Sequence, residues 1–256
     1  MRERDLIGRA GLFVAEGKVV VEKVIASDRH QLRSLLIAAK RADALAPMMA
    51  GLPDDVPVYV ASQGVLDAIA GFPIHRGIVG LGSRPDGPDA DALLGALPAR
   101  ASILVLSAIA NHDNMGGIFR NAAAFGIDAI LLDADCCDPL YRKAIRVSVG
   151  AALLVRYARL RRDEDPLALL DRHGFAGVAL SPTGATLLSD WQPSPRTAVL
   201  LGAEGPGLDP AMIARSPSVR IEMAAGFDSL NVATTSGIVL HHLAISSAAA
   251  NRQPLV

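Results

Sequence analysis

The sequence is poor in aromatic residues and cysteines, and it has no apolar run long enough to cross a membrane. Phe, Trp and Tyr together make up 4% of the 256 residues, and there are two cysteines. These are the neighbours Cys136 and Cys137, which cannot link distant segments and lack the paired spacing of a zinc site. We therefore expect a protein of a reducing compartment, neither disulfide-stabilised nor membrane-spanning.

An excess of charge of either sign is also missing. The chain has 25 Lys and Arg against 26 Asp and Glu, a net charge of −1. This balance argues against coating nucleic acid by bulk electrostatics, although local basic patches remain available. The N-terminus lacks the features of a signal peptide, so a cytoplasmic location is expected. The six histidines are scattered, and no metal is predicted.

Basic residues are concentrated in two stretches. For each, solvated helix faces and phosphate contacts are both open interpretations. The first stretch comprises Arg2, Arg4, Arg9, Lys18, Lys23, Arg29, Arg33, Lys40 and Arg41, and the second comprises Arg142, Lys143, Arg146, Arg156, Arg159, Arg161 and Arg162.

A connector rich in Pro, Gly and Asp at 83–89 divides the chain. We predict an N-terminal domain at 1–84, a linker at 85–100 and a second domain at 101–256. In the first domain, apolar runs alternate with helical patterns. In the second, buried strands are predicted at 103–106, 129–132, 153–157, 177–180 and 198–201. This alternation predicts an α/β fold with a mostly parallel sheet, whose ligands bind beyond the carboxyl ends of the strands.

The first motif begins at Asn111 and ends at Gly126, directly after the predicted strand at 103–106. Asn114 is a candidate helix N-cap. On the predicted helix, Met115, Ile118, Ala122 and Phe125 share one face. Arg120 lies on another face, where its guanidinium could bind a phosphate or carboxylate, although a solvated arginine is the alternative.

The second motif, at 201–208, is a glycine-rich loop that follows the strand at 198–201. Such a loop can wrap a flat ligand and offer it main-chain groups, or it can simply be a tight turn. It lacks the Lys-Ser/Thr ending of a phosphate loop and the dinucleotide fingerprint. Glu204 within it is expected to have a hydrogen-bonding role.

The third motif, at 221–240, leads into the last helix. Ser229 is a candidate N-cap, and Asn231 stands at the helix start, where a polar side chain can face a ligand. An apolar stripe is typical of core or of a subunit interface. Its members are Leu230, Ala233, Gly237, Leu240 and Ala244.

Together, and in this order, the motifs resemble the three signature motifs of the SpoU RNA 2′-O-methyltransferases, within the SPOUT class. The resemblance covers the chain from Ile103 onward. Asn114, Gly117, Arg120 and Gly126 match the first motif, Gly202, Glu204 and Gly207 the second, and Ser229, Leu230 and Asn231 the third. Two positions depart from the usual pattern, where His112 and Glu222 replace prolines, and they bear on loop conformation more than on the reaction.

The resemblance implies a SPOUT-type domain with a C-terminal trefoil knot, a homodimer, and transfer of a methyl group from S-adenosyl-L-methionine (SAM) to a ribose 2′-hydroxyl of rRNA or tRNA, with rRNA slightly favoured. It implies that the second and third motifs hold the methyl donor. The implied donor-binding residues are Leu201, Gly202, Glu204, Gly207, Ile221, Met223, Ser229 and Leu230, and the implied catalytic set is Arg120, Asn114, Ser229, Asn231 and Glu204.

Arginine is almost never deprotonated, so we expect Arg120 to bind the RNA phosphate rather than act as a base. The N-terminal region is similar to the α/β substrate-binding domain often attached to this family, through the segments 13–17 and 75–77. One rival, a class-I Rossmann methyltransferase, needs a glycine-rich loop after its first strand, which is absent here. The other, a non-catalytic RNA-binding or ribosome-associated protein, has no need for the polar set.

Overall fold

In the computed structural model, residues 7, 10–71, 73–84 and 87–250 are described. Three residues of the first basic stretch, Arg2, Arg4 and Arg9, lie outside these ranges. The elements, in chain order, are β1 (Leu12–Glu16), α1 (Lys18–Ile25), β2 (Gln31–Ala38), α2 (Ala42–Met49), β3 (Val58–Ala61), α3 (Gln63–Ala70), β4 (Ile78–Ser83), α4 (Ala90–Gly95), β5 (Ala101–Leu106), α5 (His112–Ala124), β6 (Ala129–Leu132), α6 (Arg142–Val147), β7 (Tyr157–Arg159), α7 (Pro166–Arg172), β8 (Ala176–Leu180), β9 (Thr186–Leu187), β10 (Arg196–Leu201), α8 (Pro210–Ala214), β11 (Ser218–Arg220) and α9 (Val232–Ala250).

The chain divides into two compact units, and the division is not a simple cut. The first unit combines residues 1–86 with 139–154, and the second combines 87–138 with 155–256. The chain therefore leaves the second unit after β6, contributes α6 to the first unit, and returns before β7.

The first unit contains a four-stranded sheet in the order β1-β4-β2-β3. β4 pairs antiparallel with both β1 and β2, and β3 runs parallel to β2. Phe13 of β1 is fully buried and meets the ring of His30 edge-on at 5.2 Å. Burial, followed by the charge of Arg29, lowers the pKa of His30 to about 4, so His30 is a neutral core side chain at physiological pH.

The second unit is built on a seven-stranded sheet in the order β7-β6-β5-β10-β8-β11-β9. Every neighbouring pair is parallel. Its central strands are mostly apolar because helices on the faces exclude water from both sides, which is the usual arrangement in parallel sheets. The predicted α/β class with a mostly parallel sheet is confirmed. Among the described residues, no helix has both the length and the apolar character needed to span a bilayer.

Two predicted elements need correction. The predicted linker at 85–100 contains α4, which is capped by Asp89 and buries Ala90, Leu93 and Leu94 in the core of the second unit. The predicted strand at 153–157 begins only at Tyr157, because residues 151–153 form a buried 3₁₀ turn that belongs to the first unit. In both places most of the apolar residues are buried, but in an element other than the predicted one; Leu154 is the exception, at 50% exposed.

Candidate active site

A cavity of about 250 Å³ lies at the carboxyl ends of β10, β8 and β11, three neighbouring strands of the large sheet. This is the edge at which open parallel sheets bind ligands. All eight residues expected to hold the donor line this cavity. They are Leu201, Gly202, Glu204, Gly207, Ile221, Met223, Ser229 and Leu230. The segment after β8, with Ser181 and Pro182, also lines it and was not anticipated from the sequence.

The loop at 202–208 folds back on itself to form one wall of the cavity. The amide of Gly207 donates to the carbonyl oxygen of Ala203 at 3.0 Å. A Cβ at Gly202 would lie 2.2 Å from both the carbonyl carbon of Gly207 and the amide nitrogen of Leu208. Only glycine permits so close a backbone approach. The loop thus forms a tight turn that also lines the cavity.

A chain of hydrogen bonds joins one residue from each motif. The side-chain amide of Asn231 (Nδ2) donates to Oδ1 of Asn114 at 2.8 Å and to Oε1 of Glu204 at 2.8 Å. Asn114 is only 5% exposed, so its carbonyl group depends on this protein donor instead of water. The network connects α5, the glycine loop and the start of α9.

Asn231 also caps α9. Its Oδ1 accepts from the amides of Ala233 at 2.9 Å and Thr234 at 3.2 Å, which leaves Nδ2 free for the network. The predicted cap, Ser229, instead lies in the preceding loop, where its hydroxyl donates to Asp228 at 3.2 Å. The cap prediction for Ser229 was therefore wrong by two residues, although Ser229 does line the cavity.

α5 likewise begins earlier than predicted. Oδ1 of Asn111 accepts from the amide of Asp113 at 2.7 Å, so Asn111 is the N-cap. Asn114, the predicted cap, is buried in the first turn and serves the network instead. The predicted apolar face is confirmed at Met115, Ile118 and Ala122, which are all fully buried.

Arg120 stands apart from the network. Its side chain is exposed, it does not line the cavity, and among the described residues its guanidinium has no hydrogen-bond or ion-pair partner. The structure thus brings together Asn114, Glu204 and Asn231, places Ser229 at the cavity, and leaves Arg120 available to a group outside this set.

Two supporting side chains were not found from the sequence. Nδ2 of Asn121 donates to the carbonyl oxygen of Ala233 at 2.8 Å and to Oγ of Ser236 at 2.9 Å, which holds α5 against α9. Its position seven residues after Asn114, on the same helix face, was the available signal. Ala233, Gly237 and Leu240 of the predicted stripe belong to this helix packing: Leu240 is buried, and a Cβ at Gly237 would lie 3.2 Å from the amide of Asn121.

Asp133 anchors the loop that leads into the first motif. Its carboxylate accepts from the hydroxyl of Ser107 and the amide of Ala108, both at 2.8 Å, and from the amide of Cys136 at 2.9 Å. Ala108 has a φ of 55°, an unfavourable backbone conformation for alanine that these bonds maintain. No sequence pattern marks Asp133, because its partners follow a neighbouring strand.

Neither cysteine is a nucleophile at neutral pH. Burial raises the pKa of the Cys136 thiol to about 12 and that of the Cys137 thiol to about 11. Both are free thiols. Within the described ranges, no three His, Cys, Asp or Glu side chains are grouped to hold a metal ion.

Comparisons with known proteins agree with this geometry. Residues 101–241 match the model of the SpoU rRNA Methylase family. An uncharacterized tRNA/rRNA methyltransferase of Mycobacterium tuberculosis is 39% identical over 246 residues, which cover 94% of this chain and 83% of the relative. The 23S rRNA (guanosine-2′-O-)-methyltransferase RlmB of Acinetobacter baylyi is 30% identical over 196 residues, which cover 74% of this chain and 78% of the relative.

Solved structures show the same fold. An AdoMet-bound rRNA methyltransferase from Sinorhizobium meliloti superposes with a TM-score of 0.78 at 22% identity, covering 93% of this chain and 91% of the other. The SpoU methyltransferase AviRb from Streptomyces viridochromogenes, in complex with AdoMet, gives 0.80 at 20% identity, covering 95% and 93%. The family predicted from the three motifs is confirmed, and the chain belongs to the SpoU rRNA Methylase family.

Proposed function

We propose that this chain methylates a ribose 2′-hydroxyl of ribosomal RNA, with the methyl donor bound in the cavity at the carboxyl ends of β10, β8 and β11. Membership of the family makes the chain an RNA methyltransferase that uses SAM. The observation that carries the assignment of the site is the hydrogen-bond chain from Asn114 through Asn231 to Glu204, which joins all three motifs beside the cavity.

The cavity suits the donor chemically. Apolar side chains such as Leu201, Ile221 and Met223 offer contacts for a flat adenine ring, while the glycine loop offers main-chain donors and acceptors. Glu204 at the rim provides a carboxylate. SAM would supply a methyl group on a sulfonium, and the residues of this chain would hold the donor and exclude water.

The remaining roles concern the RNA. Methyl transfer to a hydroxyl is an in-line displacement, so alignment of the reacting atoms dominates its rate. Arg120, with no partner among the described residues, would bind the phosphate beside the target ribose and stabilise developing negative charge. Asn114 and Asn231 would position the site, and Ser229 would orient the nucleotide or donor at the cavity.

We further propose a homodimer. On α9, the exposed residues Thr234, Ile238, His241 and Ile245 follow the alternating three-and-four spacing that places them on one face. Ile238 is 38% exposed and Ile245 is 52% exposed, an apolar face that a second copy would cover. We expect the wild-type protein to sediment at micromolar concentration with twice the mass of one chain, and Ile245→Glu to sediment with the mass of one chain. A wild-type protein that sediments as a single chain would reject the dimer.

Four further expectations accompany this proposal. A trefoil knot in the second unit is implied by the resemblance to the SPOUT class. The preference for rRNA is supported by the name of the RlmB relative, which specifies guanosine in 23S rRNA. An enzyme acting on rRNA would work in the cytoplasm, and the proposed reaction needs no metal.

The proposed donor site is tested by calorimetric titration with SAM. We expect micromolar binding by the wild-type protein and a loss of about tenfold or more in Glu204→Ala, because a hydrogen bond to a carboxylate contributes roughly 1.5–3 kcal/mol. Glu222→Ala is the matched control, since Glu222 is exposed and nearby but does not line the cavity. Absence of SAM binding by a folded wild-type protein would reject the proposed function.

A further inference from the structure

The structure separates the basic residues of the first unit into those used internally and those left exposed. Nζ of Lys23 donates to the carbonyl oxygen of Val149 at 2.6 Å, and Arg29 donates to that of Leu153 at 2.8 Å. Arg142 forms an ion pair at 2.7 Å with Glu16, which is only 5% exposed. These charges hold the segment 139–154 within the unit, so they are not available to a ligand.

Arg41 and Arg76 form the opposite group. Both side chains are exposed, and within the described part of the chain neither has a hydrogen bond or an ion-pair partner. Lys40 and His75, their chain neighbours, are exposed as well. A charge left unpaired on a surface is compatible with simple solvation. The position of the two arginines on the backbone favours a binding role over simple solvation.

Each arginine lies across a glycine. A Cβ at Gly17 would lie 2.6 Å from Cδ of Arg76, and a Cβ at Gly77 would lie 2.9 Å from Cγ of Arg41. Any other residue at these positions would displace the arginine stem that lies there. Both glycines are buried, and the two arginine stems lie against their backbone.

The two arginines share one edge of the small sheet. The amide of Gly17, after β1, donates to the carbonyl oxygen of Ile78 at 3.1 Å, and the amide of Ala38, at the end of β2, donates to that of Gly77 at 2.9 Å. The start of β4 therefore lies between the ends of β1 and β2. Arg41 follows one of these ends closely, and Arg76 rests on the other.

A nearby carboxylate does not neutralise this edge. Oδ1 of Asp67 accepts from the amide of Ile74 at 2.8 Å and from Nε2 of Gln63 at 2.9 Å. These bonds, with smaller contributions from His75 and Lys40, hold the pKa of Asp67 below its usual value. Asp67 thus serves its own loop, and among the described residues no ion pair joins it to Lys40, Arg41 or Arg76.

We propose that Arg41 and Arg76, assisted by Lys40, bind backbone phosphates of the RNA substrate. The guanidinium group matches a phosphate with two parallel hydrogen bonds, and arginines already held against backbone lose less conformational freedom on binding. Contacts of this kind fix where the RNA lies without reading its sequence. This inference rests on the proposed function, because it assumes an RNA substrate.

The test uses the full chain and a short fluorescein-labelled RNA hairpin, with affinity measured by anisotropy between about 50 and 200 mM salt. We expect Arg41→Gln and Arg76→Gln each to weaken binding by about three- to tenfold and to reduce the slope of log K against log salt by roughly 0.7–0.9. Arg76→Lys should fall between Arg76→Gln and the wild type, because it keeps the charge and loses the fork.

Arg33→Gln is the matched control. Arg33 is an exposed arginine towards the other end of β2, bonded at 3.3 Å to Gln31, and its loss should change affinity by less than about twofold. Equal weakening in all three glutamine variants would overturn the proposal in favour of bulk electrostatics, and so would unchanged binding in Arg41→Gln and Arg76→Gln. SAM titration of the same proteins separates this proposal from the proposed function. If the arginine variants bind both SAM and RNA as the wild type does, only the role of Arg41 and Arg76 is rejected.

Discussion

Replacement of Arg120 by lysine is expected to lower the rate of methyl transfer by about a hundredfold while leaving SAM affinity unchanged. Lysine keeps the positive charge but cannot form two parallel hydrogen bonds to a phosphate. Removal of one such preorganised donor from an active site typically costs a factor of about 10²–10³ in rate. SAM affinity should be retained because Arg120 does not line the donor cavity.

The rate is measured in single turnovers with saturating enzyme and methyl-labelled SAM, on transcribed 23S rRNA. Arg100→Lys is the control, because Arg100 is another exposed arginine of the second unit that does not line the donor cavity. Full activity in Arg120→Lys would contradict the two-pronged role. Equal loss in both variants would indicate a general effect of surface charge on RNA binding.

Replacement of Asn231 by aspartate is expected to weaken SAM binding by about tenfold or more in a protein that still folds. The carboxylate can still cap α9, since it accepts from the amides of Ala233 and Thr234. It removes the amide donor, however, and places a negative charge opposite Glu204, where the donor and acceptor are now 2.8 Å apart. Asn114 can rotate its amide to compensate, but a carboxylate such as that of Glu204 only accepts hydrogen bonds.

A second substitution tests whether this contact is the cause. Glu204→Gln introduces an amide that can donate to Asp at position 231, so the double variant Asn231→Asp/Glu204→Gln should recover much of the lost SAM affinity. We expect an interaction energy of roughly 1–3 kcal/mol between the two sites, measured by calorimetry. Strictly additive losses would show that Asn231 and Glu204 act independently, contrary to the geometry.

The sequence predicts the large sheet well because its strands are buried on both faces. The runs at 103–106, 129–132, 177–180 and 198–201 are continuous stretches of apolar residues, and each lies within an observed strand. The run at 153–157 is interrupted by Arg156 and is divided between a 3₁₀ turn and a strand, since the chain changes units there. The apolar character of a segment indicates that it is buried, but it does not indicate which element packs against it.

Helix starts were less predictable because the first and third motifs each offer two capping residues close together. Asn111 and Asn114 are both good caps by type, as are Ser229 and Asn231. The structure uses Asn111 and Asn231, while Asn114 is buried beneath Asn231, 117 positions away in the chain. The hydrogen bond between Asn231 and Asn114 selects between capping residues of similar energy. A short sequence pattern does not show a contact between residues so far apart in the chain.

The basic stretches show the same limit. The second stretch has no acid among its arginines, yet Arg159 pairs with Asp138, Arg161 with Glu164 and Arg162 with Asp135. Three arginines of this stretch thus have acidic partners that the sequence pattern does not show. The structure brings Asn114, Glu204 and Asn231 of the three motifs together, whereas a supporting group such as Asp133 belongs to no motif and is evident only from the fold.

The division of the first unit into two chain segments affects how it is made. A ribosome completes the sheet of the first unit with Ser83, but α6 and the buried turn at 151–153 emerge only after β5, α5 and β6 of the second unit. During synthesis the first unit therefore cannot complete its fold until the segment 139–154 has been made, and the surface that this segment covers is exposed until then. Expression of residues 1–86 alone would produce this incomplete unit permanently, and Glu16 would lack its ion-pair partner Arg142.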